Sequence, residues 1–237
     1  MNFKVKIFLI FFHVVIDSIF AQTTLYKTTD GLLMTEENYL QNKKEMSERE
    51  DLKGRYQEIF IKTEKRNDTI IKIIKFEAIP FSLTIGKNKG WHDPYAELRK
   101  TIGNHFPIES FKDESGNNFS TEYLNGKPTI VNFWFTDCPP CIEEIPDLHK
   151  LKEEYGTTVN FVAITFERRK AVDKFLEKKP NFDYLHITNS QKQINRLNIK
   201  SYPMTFLLNK EGEIVNLYGG SIAPHKYNIR ELLNLLL

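Results

Sequence analysis

The sequence has very little cysteine, and its two signs of charge nearly cancel. Two cysteines in 237 residues exclude a small scaffold held together by several disulfides. A net charge of +2 does not favour a nucleic-acid surface, which needs clustered positive charge. Hydrophobic residues make up 41% and charged residues 27% of the chain. These shares are typical of soluble globular proteins, and the length suggests one or two domains.

A nearly continuous apolar run, broken only by His13, stands near the N-terminus. Two lysines precede the apolar residues 7–16, and the small residue Ala21 follows them. This order is that of a secretory signal peptide, so we predict removal of residues 1–21 and export to the periplasm, where disulfides persist. The alternative is an uncleaved membrane anchor that faces the periplasm, which the short apolar region and Asp17 disfavour.

Residues 22–100 contain no catalytic motif and predict a small accessory α+β region. A charged helix is predicted after Thr35, which would cap its N-terminus. The runs Tyr56–Thr63 and Thr69–Glu77 flank a turn signal at residues 66–68 and predict a β-hairpin. The region has three candidate roles: a cap, a substrate-docking element, or the interface of a homodimer.

Residues 101–237 alternate between strand-like and helix-like patterns. The strand-like runs are Thr129–Phe135, Val159–Phe166, Phe182–Ile187, Met204–Leu208 and Ile214–Leu217, and the helix-like runs are Cys141–Tyr155, Arg169–Lys178, Gln191–Leu197 and Tyr227–Leu237. This order predicts an α/β domain with a mixed central sheet and helices on both faces. A small hairpin, Ile108–Lys112 with Asn118–Ser120, is predicted before it.

The two cysteines lie three residues apart, directly after a predicted strand. Cys138 is predicted at the first helical position, where unpaired N–H groups and the helix dipole favour the thiolate and lower the thiol pKa. Cys141 lies one turn further along the same side of the helix, close enough to form a disulfide with Cys138. The pattern predicts a redox pair in which an exposed Cys138 attacks and Cys141 resolves the mixed disulfide.

Two further features lie near the pair in the predicted layout. Glu144, three residues after Cys141, is a candidate to accept and return the Cys141 proton. The alternative for Glu144 is a solvated residue on the helix face. Tyr202–Pro203 precedes a strand, where it suits a cis-proline loop that faces the cysteines, although most X–Pro bonds are trans.

Two long motifs, NFWFTDCPPCIEEIPDL and IKSYPMTFLLNKEGEIV, resemble the thioredoxin superfamily. Within it they are similar to the exported TlpA/ResA-like thiol–disulfide oxidoreductases. Asn132 stands where thioredoxins usually carry a buried Asp, and the segment GNHFPIESFKDESGNNFS is similar to the entry hairpin of the subfamily. The resemblance covers about residues 101–237 and implies a thioredoxin-like fold.

The resemblance also implies roles for individual residues. By it, Pro203 is the cis-proline, Tyr202 contacts substrates, and Glu144 matches a glutamate near the active site. Trp134 and Asp137, which lie just before the cysteines, are predicted to belong to the substrate-binding surface. The family usually has Trp at the position of Asp137, and a carboxylate there opposes thiolate formation at the neighbouring cysteine. An alternative role for Asp137 is to cap the helix.

The implied activity is the reduction of disulfides in other exported proteins, apocytochrome c among them, without a cofactor. A membrane-embedded thiol carrier would supply the electrons. Two alternatives remain open: handling of Cu(I), which two thiolates can bind, and a chaperone-like binding protein on the same scaffold. Zinc is disfavoured because it usually needs four ligands, so no metal site is predicted. No nucleic-acid partner is predicted either, because the net charge is only +2.

Overall fold

The computed structural model describes residues 22–48, 56–78 and 94–237. The predicted signal peptide, residues 1–21, lies outside the described residues. Within the described ranges, no helix is long and apolar enough to cross a membrane. Two sheets are formed in these ranges.

The first sheet lies within residues 23–78. Its region contains β1 (Thr23–Thr28), β2 (Leu33–Thr35), α1 (Glu36–Glu48), β3 (Tyr56–Arg66) and β4 (Thr69–Ala78). The strand order is β2-β1-β4-β3, with β1 parallel to β4 and the other pairs antiparallel. The predicted β3–β4 hairpin and the predicted helix are both confirmed. Thr35 caps the helix as predicted, since Asn38 N–H donates to Thr35 Oγ1 at 3.3 Å. Strands β1 and β2 were not predicted, although they pair antiparallel on either side of Asp30 and Gly31, a dipeptide typical of hairpin turns.

The second sheet confirms the predicted mixed α/β layout. After the short α2 (Ala96–Arg99) come β5 (Thr129–Phe133), α3 (Pro139–Tyr155), β6 (Asn160–Ile164), α4 (Arg169–Leu176), β7 (Leu185–Ile187), α5 (Gln191–Arg196), β8 (Met204–Leu208), β9 (Ile214–Gly219) and α6 (Lys226–Leu236). The strand order is β7-β6-β5-β8-β9. Strands β5, β6 and β7 are parallel, whereas β8 is antiparallel to both β5 and β9.

The hairpin predicted before the second sheet forms only beside its turn, where Phe119 N–H donates to the Phe111 carbonyl at 3.1 Å and Asp113 N–H donates to the Asn117 carbonyl at 2.8 Å. Ile108–Ser110 and Thr121–Leu124 form 3-10 turns, and Lys112 and Asn118 share one isolated β-bridge. Ile108 and Phe111 are both 0% exposed. A 3-10 turn aligns residues three apart on one side and so directs both side chains into the core. Burial of these side chains outweighs the extended pairing that the intervening turn residues predict.

Each face of the second sheet has its own core. Along β5, Ile130 belongs to one core, whereas Val131 and Phe133 belong to the other, because side chains alternate across a strand. The core on the Ile130 face also holds Leu148 and both cysteines, and we call it the thiol-side core. Asn132, two residues after Ile130, is buried and shares that face.

The N-terminal sheet docks against the second region through β3. Ile59 and Ile61 are 0% and 6% exposed and join the thiol-side core. The pairing of β3 with β4 has a bulge at this point, and the Ile61 carbonyl accepts from Asn209 Nδ2 at 2.9 Å. The sheet also has a small core of its own, formed by Tyr26, Met34, Tyr39 and Ile74.

Candidate active site

Cys138 lies between β5 and α3, beyond the carboxyl end of β5, and Cys141 lies in the first turn of α3. They form a disulfide with a Cα–Cα distance of 5.2 Å. Cys138 is the N-cap of α3 and not its first residue. Pro139 and Pro140 occupy the first helical positions, which need no N–H donor. The backbone N–H of Cys141 donates to Cys138 Sγ at 3.3 Å, and such a donor stabilises a thiolate after reduction.

Neither cysteine side chain lies at the surface. Cys138 and Cys141 are each 2% exposed, so the prediction of an exposed Cys138 is wrong for this oxidised state. The reason is packing, because both side chains belong to the thiol-side core together with Ile145 and Leu148. A substrate sulfur must therefore approach through the loops that border the disulfide.

Glu144 lies one helical turn beyond Cys141 and is 0% exposed, so the solvated alternative is wrong. Asn132 Nδ2 donates to Glu144 Oε1 at 2.9 Å, and Ile222 N–H donates to Oε2 at 2.8 Å. Burial raises the pKa of Glu144 to about 7, although both hydrogen bonds oppose the shift. A carboxyl group with this pKa takes up and releases a proton near neutral pH, as the predicted role requires.

Two groups in this network come from distant parts of the chain. Thr205 Oγ1 in β8 accepts from Asn132 Nδ2 at 3.0 Å, and Ile222 lies between β9 and α6. Neither has a local sequence signal, because one is an ordinary strand threonine and the other acts through its backbone N–H. Asn132, which stands at the buried acidic position of thioredoxins, is the residue that points to a polar network here.

The Tyr202–Pro203 peptide bond is cis, as the resemblance implies and against the local preference for trans. Pro203 is buried and Tyr202 is partly buried. Met204, the first residue of β8, pairs with Phe133, the last residue of β5. The cis-proline loop and the disulfide therefore lie at the same edge of the sheet. Gly220 N–H donates to the Pro203 carbonyl at 2.9 Å and joins this loop to the end of β9.

Known proteins share this domain. The Redoxin family profile matches residues 101–235. The chain belongs to the Redoxin family. The thioredoxin-like protein YneN of Bacillus subtilis is 31% identical over 141 residues, which cover 56% of this redoxin and 83% of YneN. The thiol-disulfide oxidoreductase ResA of Halalkalibacterium halodurans is 32% identical over 114 residues, which cover 47% of this redoxin and 65% of ResA. The crystal structure of StoA from Bacillus subtilis aligns with a TM-score of 0.42 and 23% identity, over 52% of this redoxin and 92% of that chain.

The family and its relatives confirm the predicted thioredoxin-like fold and the resemblance to ResA. This redoxin is a thiol–disulfide oxidoreductase. Its Cys138–Cys141 pair has the C-x-x-C spacing of thiol–disulfide oxidoreductase motifs.

Trp134 and Asp137 were both predicted to bind substrate, and the prediction for Trp134 needs correction. Trp134 is 0% exposed and packs against the rings of Phe175, Phe182 and His186. Because it belongs to the thiol-side core, it is not available to a substrate at the surface of this redoxin. Asp137 is exposed, but it is not the helix cap, since Cys138 takes that position. Contact between Asp137 and a substrate stays a prediction.

Proposed function

We propose that this redoxin is an exported reductant that breaks disulfides in other exported proteins, apocytochrome c among them. The observation that carries the direction is the exposed carboxylate of Asp137, directly before Cys138. A neighbouring negative charge disfavours the Cys138 thiolate. Dithiol proteins that are strong oxidants owe their high reduction potential to a stabilised reduced form. A charge that destabilises the reduced form therefore makes the pair a stronger reductant.

Reduction proceeds in two exchanges. The Cys138 thiolate attacks one sulfur of the substrate disulfide, which forms a mixed disulfide and releases the other substrate sulfur as a thiolate. Glu144 takes the proton of Cys141, and the Cys141 thiolate then attacks Cys138 Sγ. This second step closes the Cys138–Cys141 disulfide and releases the second substrate sulfur, so two electrons pass to the substrate.

The proposal includes a place and an electron donor. The lysines, apolar run and small residue of the first 21 residues support export to the periplasm. Disulfides persist there, so substrates for a reductant are present. A membrane-embedded thiol carrier returns the pair to the dithiol after each turnover. If the intact mass of the exported protein equals that of a chain starting at Gln22, the leader has been removed.

The reduction potential of the pair tests the direction. Full-length protein is equilibrated in dithiothreitol redox buffers, and the dithiol fraction is read by thiol alkylation and mass shift. We expect a potential of about −270 mV or below, in the range of thioredoxin. A value of about −120 mV, in the range of strong oxidants, would reverse the proposed direction.

Trapping tests the order of the two cysteines and the substrate class. Cys141→Ser should accumulate a mixed disulfide with a peptide that contains an oxidised C-x-x-C-H haem-attachment motif, whereas Cys138→Ser should form none. A Cys138→Ser protein that reduces insulin at the wild-type rate would refute the mechanism. Tight Cu(I) binding with negligible exchange would favour copper handling instead. Within the described ranges, no group of three or more His, Cys, Asp or Glu side chains is arranged to hold a metal ion.

A further inference from the structure

Three aromatic side chains from three different loops meet at the edge of the sheet that carries the disulfide. Phe135 lies between β5 and α3, Phe166 between β6 and α4, and Tyr202 between α5 and β8. The ring centroids are 5.5 Å apart for Phe135 and Phe166, 5.4 Å for Phe135 and Tyr202, and 5.9 Å for Phe166 and Tyr202. All three side chains are partly buried and keep some surface in solvent. We call these three residues the aromatic rim.

A carboxylate clamp joins the loops that carry the first two rings. Glu167 Oε2 accepts from Thr136 N–H and Glu167 Oε1 accepts from Thr136 Oγ1, both at 2.7 Å. The clamped residues are the direct chain neighbours of Phe135 and Phe166. The Glu167 carbonyl also accepts from Asn189 N–H at 2.8 Å. Because the clamp fixes both loops, the rim is organised before any substrate arrives.

The rim is continuous with the exchange site. The carbonyl of Phe135 accepts from Cys138 N–H at 3.3 Å, and Tyr202 forms the cis peptide bond with Pro203. At the other positions before the disulfide, Trp134 is fully buried and Asp137 presents a charge to solvent. An apolar side chain that approaches Cys138 from this side therefore meets the rim.

Disulfide geometry limits where a substrate can lie during exchange. A mixed disulfide holds the substrate cysteine Cα within about 7 Å of the Cys138 Cα. An extended chain advances about 3.3 Å per residue, so the residues next to the substrate cysteine lie within reach of the loops around Cys138. The substrate is then a polypeptide segment laid along these loops, with one neighbouring side chain directed at the rim.

We propose that the aromatic rim receives an aromatic or large aliphatic side chain next to the substrate cysteine, and that Phe135 and Phe166 determine this preference together with Tyr202. The inference rests on the proposed reduction of protein disulfides and names the kind of segment that is reduced. Contact with a partly buried aromatic cluster removes apolar surface of the substrate from water, which favours the mixed disulfide with such segments.

The test compares two peptides that differ at one residue. Each peptide carries one cysteine as a mixed disulfide with thionitrobenzoate, and the residue beside that cysteine is Phe or Ser. Reduced full-length protein is added, and the release of thionitrobenzoate is followed by absorbance. We expect the wild type to react with the Phe peptide about tenfold faster than with the Ser peptide, as partial burial of one ring predicts. In Phe135→Ala and in Phe166→Ala this ratio should fall to about twofold or less.

Two further variants separate recognition from folding. Phe166→Leu keeps an apolar side chain and should retain most of the preference. Tyr123→Ala removes an aromatic side chain that is 37% exposed and pairs with Phe119, outside the rim, and should leave the ratio unchanged. An unchanged ratio in both alanine variants of the rim, or a wild-type ratio near one, overturns the inference. A wild-type protein that releases thionitrobenzoate from neither peptide refutes the proposed function itself.

Discussion

The N-terminal sheet and the C-terminal sheet are both mixed sheets, yet they bury their apolar residues in different ways. The C-terminal sheet has a large core on each face. The N-terminal sheet has a core of four buried residues and places Ile59 and Ile61 in the thiol-side core of its neighbour. The C-terminal sheet can therefore exclude water from Glu144 and the disulfide, whereas the N-terminal sheet depends on its partner for its most completely buried side chain, Ile59.

The two regions also differ in their relation to the disulfide. The groups that surround the disulfide come from loops at one end of the C-terminal sheet, where β5 ends and the antiparallel β8 begins. The N-terminal sheet contacts the opposite end of the same region, where β3 packs against β9 and Thr63 N–H donates to Oε2 of Glu213, the residue before β9, at 3.3 Å. Variants of the two regions should therefore change different properties of the protein.

The largest effect is expected where the N-terminal sheet enters the thiol-side core. Ile59→Ala removes apolar contacts from a position that is 0% exposed and should lower the free energy of unfolding by about 2–5 kcal/mol. Urea unfolding of the oxidised full chain measures this change. Ile74→Ala is the matched control in the small N-terminal core. For Ile74→Ala, hydrogen exchange should show a loss of protection that is confined to β1–β4. Equal loss of protection in β5 for both variants would contradict the comparison.

The next effect tests the burial of Glu144. Its folded pKa of about 7 lies above the ordinary value of 4.5, so the folded state binds a proton that the unfolded state releases between these values. The stability from this group is fully present below the ordinary pKa and is lost as pH rises through about 7. The shift corresponds to about 3 kcal/mol.

Glu144→Gln cannot ionise and should not pay this cost. Relative to the wild type, its free energy of unfolding should increase by about 3 kcal/mol between about pH 4 and about pH 8. Urea unfolding of the oxidised protein at both pH values measures the change. Glu143→Gln, at an exposed position of the same helix, is the control. A difference between wild type and Glu144→Gln that does not vary with pH would show that Glu144 is not buried as described.

A smaller effect is expected from the charge beside the nucleophile. Asp137→Asn removes the negative charge next to Cys138 while keeping a polar side chain of similar size. Thiolate absorbance should then titrate at a lower pH by up to about one unit, and Asp137→Trp should act in the same direction. Ile74→Ala in the N-terminal sheet should leave this titration unchanged. A titration that moves to higher pH in both Asp137 variants would count against the proposed direction of electron flow.

The smallest effect is expected from a surface contact between the two regions. Lys75 Nζ and Glu231 Oε1 form an ion pair at 2.6 Å, with side chains 24% and 43% exposed. A double-mutant cycle with Lys75→Ala and Glu231→Ala should give a coupling energy below about 1 kcal/mol, since exposed ion pairs contribute little. A coupling well above this value would mean that charge, and not the burial of Ile59, holds the N-terminal sheet in place.

Local patterns predicted much of the fold but only part of the site. The β3–β4 hairpin, α3 and the alternating strands and helices of the second region each have a period or a turn signal of their own. The extended strand predicted at residues 108–110 and the exposure of Cys138 were wrong, because both depend on what packs against the segment. Trp134 belongs with these, since a tryptophan beside the disulfide looks the same in sequence whether its ring faces solvent or Phe175 and Phe182.

The sequence by itself determined the redox pair, its place between a strand and a helix, and the order of strands and helices along the second region, because spacing and periodicity act within a few residues. Only the tertiary structure decided that Glu144 is buried and ready to exchange a proton near neutral pH. That state requires Asn132 from β5 and the backbone N–H of Ile222 from beyond β9. The hydrogen bonds and desolvation that set its pKa come from segments that meet only after the chain has folded.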